Sequence, residues 1–355
     1  MVVSCYLLQF THAGCGCRVH CLTMAGHKAR ASSGAAVRKR QRSAGEIVAL
    51  SPSRLAWRRL SRDWVAVACM IAIAVITVVT LLAPALCALL GVNPYDFHPE
   101  LISDDGGLPD GALGGVSWAH PLGVEPLTGR DLMARLLYGG GVSLLIAVTA
   151  TVLTVTIGVL AGIVAGYARG WLDAGLSRLM DLTLAFPLLL VVIALSPVLQ
   201  QRLVALGVPD GNPARVTGLV LVLSVFGWPY LARIIRGQVL TVRELDYITA
   251  AKCAGAGFRR ILFREILPNL WPPILIYTTL VLPSYVAAEA ALAYLGISVQ
   301  PPTPTWGAML DDAVTYFTVD PFYFAVPLVA LLAAVLSFNL LGDALRDALD
   351  PQHIR

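Results

Sequence analysis

Long apolar runs alternate with shorter polar stretches along most of the chain. Six apolar runs stand out, near residues 64–90, 141–167, 176–199, 216–240, 272–295 and 321–341. At about 1.5 Å per helical residue, runs of this length cross a hydrocarbon core about 30 Å thick. Every backbone N–H and C=O inside lipid needs an internal partner, which a helix supplies. The pattern predicts an all-α polytopic membrane protein with six transmembrane helices. It divides the chain into an N-terminal extension (1–63), a first transmembrane helix (64–90), a loop (91–140), a core of five further helices (141–342) that contains a polar loop (241–270), and a tail (343–355).

Composition agrees with this reading. Hydrophobic residues make up 57% of the chain and charged residues only 14%, against roughly 25% charged in a soluble domain. Most of the surface is therefore not built to face water. The net charge of +4 says less than its distribution. Six crossings put both termini on one side. Of the 26 lysines and arginines, only Arg130, Arg135, Arg202 and Arg215 then fall on the opposite side. The excess of positive charge marks the cytoplasmic face, so both termini are expected in the cytoplasm. The extension carries Arg38, Lys39, Arg40, Arg42, Arg54, Arg58, Arg59 and Arg62. It is too long and polar for a signal peptide, and a largely disordered cytoplasmic segment is expected, with 50–62 as an amphipathic helix on the membrane surface. Met24 offers a second start within it. Loop 91–140 is acidic, with Asp96, Glu100, Asp104, Asp105, Asp110, Glu125 and Asp131.

Loop 241–270 is too long for a tight turn. Residues 244–254 favour a helix, Gly255 and Gly257 break it, and 258–267 reads as a second helix ended by Pro268. Tyr247, Ala250, Ala251 and Ala254 recur at helical spacing and form a smooth strip, while Arg259, Arg260 and Arg264 form a basic one. Small side chains let another backbone approach closely.

Elsewhere, Gly158, Gly162 and Gly166 recur at every fourth position and share one helix face, a small-residue packing strip. Its partner is either another helix of this chain or a second subunit. Glu289 is an ionisable residue within an apolar run, a costly placement. It is a candidate either for holding the segment near Trp306 or for lining a translocation path. Asp181 is one turn from Arg178, and a local ion pair is expected. Cys15, Cys17, Cys21, His12 and His20 have the residue types of a metal site but no standard zinc spacing, so no metal is expected. No Gly-Lys pair occurs, so the phosphate-binding loop Gly-x4-Gly-Lys-Ser/Thr is absent. No catalytic residue is expected.

Several strings carry a family resemblance. Asp246-Tyr247-Ile248-Thr249-Ala250-Ala251, then Gly255, then Ile266-Leu267-Pro268 resembles the Glu-Ala-Ala signature loop of ABC importer permeases. Thr249 stands where that family usually has Glu. His120-Pro121-Leu122-Gly123, Thr128-Gly129-Arg130-Asp131 and Arg135-Leu136-Leu137-Tyr138-Gly139 resemble the dipeptide/oligopeptide/nickel subfamily, as do Ala288-Glu289-Ala290, Gln300-Pro301-Pro302-Thr303-Pro304, Trp306-Gly307 and the tail from Asn339 to Pro351. The matching runs span roughly 115–352 and point to the C-type subunit; residues 1–50 match nothing in it.

The resemblance implies a type I ABC importer permease fold in a bacterial cytoplasmic membrane. It implies as partners a second permease, one or two cytoplasmic ATPases that use ATP and Mg, and an extracytoplasmic substrate-binding protein; no nucleic acid is implied. Asp246, Tyr247, Thr249, Ala250, Ala251, Gly255, Arg259, Arg260 and Pro268 would form the ATPase contact. Loop 91–140 is then either a solvated loop or part of the docking surface for the binding protein. The implied cargo is a di- or oligopeptide, with nickel or another peptide-like solute as the alternative. A stand-alone secondary transporter should show several intramembrane charges or broken helices, and it has no use for an ATPase-contact loop.

Overall fold

The computed structural model describes residues 52–349, except 104–106, 112 and 169. Expectations for 1–51, for Asp104, Asp105 and Arg169, and for the tail beyond Leu349 lie outside the described residues. The described residues all belong to the unit Ser51–Arg355.

The described residues form, in order, the α-helices α1 (Pro52–Leu60), α2 (Trp64–Leu81), α3 (Ala83–Leu90), α4 (Leu132–Tyr167), α5 (Trp171–Ala185), α6 (Leu188–Ala205), α7 (Asn212–Val242), α8 (Asp246–Cys253), α9 (Phe258–Tyr294), α10 (Trp306–Val314) and α11 (Pro321–Leu349). Six of them, α2, α4, α6, α7, α9 and α11, are long and apolar enough to span a membrane. A short 3-10 turn (Pro99–Leu101) and isolated β-bridges accompany them among the described residues.

Local chemistry moves several boundaries from their predicted places. The first apolar run does not form one helix. Pro84 has no N–H to offer the carbonyl one turn back, so α2 ends at Leu81 and α3 restarts with Pro84 in its first turn. The third run is split at Pro187, which holds Phe186 extended; the crossing segment is therefore α6, not 176–199. Helix α4 starts nine residues before the predicted 141, because the Asp131 carboxylate caps it by accepting from Ala134 N–H at 2.6 Å. Pro268 does not end the second loop helix. A π-helical turn, Ile261–Ile266, precedes it, with Leu267 N–H donating to Leu262 O. This wider turn absorbs the missing proline N–H, and α9 runs on to Tyr294.

The core is a three-helix junction of α4, α7 and α9. Leu144, Ile146, Ala147 and Ala150 of α4 meet Leu219, Val222 and Leu223 of α7 and Tyr285, Val286 and Leu292 of α9. Tyr285 ties the three together: its hydroxyl bonds Thr154 at 2.8 Å and donates to Leu223 O at 3.1 Å. Gly227 makes room for it, since a Cβ there would lie 1.9 Å from the Tyr285 hydroxyl. Helix α1 packs Ala56 and Leu60 on Ala66 and Ala348, joining it to α2 and the end of α11.

Candidate functional site

The polar loop between α7 and α9 is a built structure. Helix α8 buries one side chain completely, Ile248, in an apolar cluster with Ile163, Val239, Ile261 and Ile266. Asp246, Tyr247, Thr249 and Ala250 are exposed and Ala251 is half-buried. Gly255 ends α8 at φ +80. Its N–H donates to Lys252 O at 3.0 Å, and Ala256 N–H donates to Ala251 O at 3.0 Å, the reciprocal pair of a Schellman cap. Asn269 Nδ2 donates to the Tyr247 hydroxyl at 3.0 Å, tying α8 to α9. Arg259, Arg260 and Pro268 are exposed. The loop thus presents small and basic side chains outward, held from behind by Ile248. Ile248 was legible only as the one large aliphatic side chain among Asp, Tyr, Thr and Ala.

The glycine strip packs inside this chain, against α7. A Cβ at Gly158 would lie 3.0 Å from Trp228 O, one at Gly162 2.7 Å from Ala232 O, and one at Gly166 2.9 Å from Arg236 O. The three carbonyls repeat at the same four-residue interval as the glycines, so the two helices run in register.

Beside this pair, α5 is fixed to α7 by two ion pairs. Asp173 accepts from Arg236 Nε at 2.6 Å and from its Nη2 at 3.0 Å. These hydrogen bonds hold its carboxyl below the usual range. Asp181 pairs with Arg233 rather than with Arg178. Helix α5 lies along α7, and Arg233 and Arg236 present their guanidiniums at the heights of the two acids.

Glu289 is fully buried. Its Oε2 accepts from Ser143 Oγ at 3.0 Å and its Oε1 from Ser298 Oγ at 2.8 Å. Ser143 Oγ in turn accepts from Trp306 N–H at 3.2 Å. The carboxylate joins α4, α9 and the segment before α10. These contacts tie Glu289 to the segment that carries Trp306.

At this end of the bundle, loop 91–131 is more than a solvated stretch. Glu125 is buried and gathers four donors. Tyr323 Oη donates to Oε1 at 2.9 Å, Thr128 Oγ1 and Arg130 Nε donate to Oε2 at 2.6 and 2.8 Å, and Arg135 Nη2 lies 3.4 Å from Oε1. Asp131 Oδ2 bonds His120 Nδ1 at 2.8 Å. The network clamps the loop onto α4 and α11. Asp312, at its rim, lies 4.0 Å from Arg135. Burial first, and then the Glu125 charge, push the Asp312 carboxyl up to about 6. The fold therefore holds a proton there that the unfolded chain releases from near 3.8, and stability falls as pH rises through that window. Melting temperature followed from pH 4 to 7 should decline less steeply for Asp312→Asn than for the wild type.

No group of three His, Cys, Asp or Glu suited to a metal ion occurs among the described residues. Cys69 and Cys87 are buried free thiols and Cys253 is an exposed one; the Cys15 run lies outside the described residues.

Comparison with known proteins places this architecture. Residues 158–355 match the family described as binding-protein-dependent transport system inner membrane component. Residues 51–104 match the N-terminal transmembrane domain of oligopeptide transport permease C. The chain is 34% identical over 296 residues, 83% of its length and 89% of the relative's, to the glutathione transport system permease protein GsiD of Shigella dysenteriae serotype 1. It is 34% identical to the GsiD protein of Pectobacterium atrosepticum over 302 residues, 85% of this chain and 92% of that one. A chain of the MetNI methionine ABC transporter, in an inward-facing conformation, aligns with TM-score 0.48 and 19% identity, covering 62% of this chain and 98% of that one. The chain belongs to the binding-protein-dependent transport family: it is a multi-pass inner membrane ABC importer permease of the oligopeptide C type, and not an enzyme.

Proposed function

We propose that this permease forms half of a translocation path for short peptides or peptide-like solutes, and that energy enters it through the loop around α8. One observation carries the reading: α8 is pinned by Ile248 while its opposite face is exposed and smooth, the form of a helix that seats in a cleft of another protein. The occupant of that cleft would be an ATPase subunit, which binds ATP and Mg. The positive charge around this end supports a cytoplasmic placement for it and for both termini. A second permease would complete the path, and an extracytoplasmic binding protein would deliver the solute at the end that carries Glu125 and Trp306. ATP-driven closure of the ATPases would then bias the permease between two global states. The relatives named for glutathione, itself a short peptide, support a peptide-like cargo.

The test is co-purification and uptake. The tagged chain, extracted in mild detergent, should bring down a second permease and at least one ATPase. Gly255→Pro forces φ from +80 to near −65 and removes the N–H that caps α8. It should leave the protein inserted and abolish peptide uptake, with loss of well over tenfold. Full uptake by a well-inserted variant would overturn the reading, as would a chain that always purifies without an ATPase.

A further inference from the structure

The loop around α8 is covalently continuous with α7 and α9, but not with α4. Helix α9 itself carries Glu289, while α4 meets it through Ser143 and reaches the Glu125 cluster through Arg135. Helix α4 is already joined to α7 along the glycine strip, and a contact with the loop itself would add a second, direct joint.

The structure offers one, at the last two residues of α4. Arg243, in the link between α7 and α8, donates from Nη1 to Gly166 O at 2.7 Å. That carbonyl lies in the final turn of α4, where no further helical N–H is available to it. The same guanidinium bonds Glu244 through Nε at 3.1 Å and is largely buried. Next in sequence, Tyr167 receives the loop on two sides. Lys252, at the end of α8, lies over its ring at 5.9 Å from the centroid. Phe258, at the start of α9, meets it edge-on at 5.0 Å. Tyr167 also packs on the apolar cluster that holds Ile248.

A tyrosine at the end of a membrane helix often serves only as an interfacial anchor, with its ring among lipid headgroups. Tyr167 differs because its ring is engaged by both ends of one loop, and its neighbour's carbonyl by a third residue of the same stretch. Edge-to-face and cation–π contacts are individually modest. They are enough to set which parts move together without being required for folding.

We infer that Tyr167, seconded by Arg243, is the positioning residue that fastens α4 to the coupling loop, so that displacement of α8 is delivered to α4 as well as to α7 and α9. The inference rests on the proposed ATPase contact at α8. In the assembled transporter, reconstituted with a loaded binding protein, Tyr167→Ala should keep the ATPase bound and hydrolysing at the wild-type rate. Solute uptake per ATP should fall at least tenfold. Tyr167→Phe, which retains the ring and both contacts, should restore it. Phe258→Ala removes the edge contact from the exposed side, where loss of folding is not at issue, and should lower the same ratio severalfold. An interfacial anchor predicts instead that Tyr167→Ala lowers the amount of inserted protein and leaves uptake per ATP unchanged. Wild-type uptake per ATP in both Tyr167→Ala and Phe258→Ala would overturn the joint while leaving the ATPase contact standing. Absence of any ATPase in the wild-type preparation would strike the underlying reading instead.

Discussion

Gly162→Leu should leave little folded protein in the membrane. A Cβ at this position meets Ala232 O at 2.7 Å and Ile235 Cβ at 2.7 Å. Neither neighbour is the free end of a flexible side chain; one is backbone and the other branches at Cβ. The whole of α4 must therefore move away from α7, and the register of Gly158 and Gly166 on their own carbonyls is lost with it. Overpacking a core costs typically about 1–3 kcal/mol, and a rigid backbone contact puts this case at or beyond the upper end. The helices meet without a hydrophobic driving force between them, so close packing is what holds the pair in lipid. Gly162→Ala should fall between wild type and Leu. Gly237→Leu is the control, because a Cβ there meets nothing within 4 Å. Thermal unfolding in detergent, read as the loss of the monodisperse peak, should rank the variants as Gly237→Leu, Gly162→Ala, Gly162→Leu. Equal stability of the first and last would mean that the α4–α7 contact is far looser than described.

Glu289→Ala comes second in expected effect. It leaves the hydroxyls of Ser143 and Ser298 without their acceptor and opens a cavity where three elements meet. An unsatisfied buried polar group costs about 1–3 kcal/mol, and truncation of the packing adds to it. Glu289→Gln keeps the volume and one acceptor oxygen, and its NH2 can donate to a serine that reorients as acceptor. It should retain most of the stability and transport. The contrast separates two roles. A path-lining carboxylate predicts that Gln stops transport without unfolding the protein. A clamp predicts that Ala unfolds it and Gln does neither. Melting temperature and uptake measured on both variants decide between them.

The sequence makes legible whatever depends on one segment alone. The six apolar runs, the glycine period and the Gly255 break each state their own geometry, because backbone propensity and spacing produce them locally. Pro268 misleads by the same rule: proline ends a helix in isolation, but a π turn just before it removes the conflict, and nothing in the local string announces that turn. Partners are hidden more deeply. Tyr323 and Glu125 lie 198 residues apart and Arg233 and Asp181 lie 52 apart. A reading confined to one turn therefore chose Arg178, the nearest charge, for Asp181. Residues 91–131 read as merely acidic because Arg135 and Tyr323 join Arg130 around Glu125 only when the loop folds back on α4 and α11.

Helix α4 has 36 residues, a length of about 54 Å against a hydrocarbon thickness of about 30 Å. Both of its ends therefore stand clear of the acyl chains. Arg135 in its first turn is its sole charged side chain, and the rest of its length carries none. A charge carried to the middle of a bilayer costs several kcal/mol by insertion scales, and a chain of ionised groups would meet that cost at every link. An uncharged rod meets none of it. In the proposed coupling, such a rod would carry movement between the two aqueous faces by a shift along or about its axis, with no ion or proton entering the lipid.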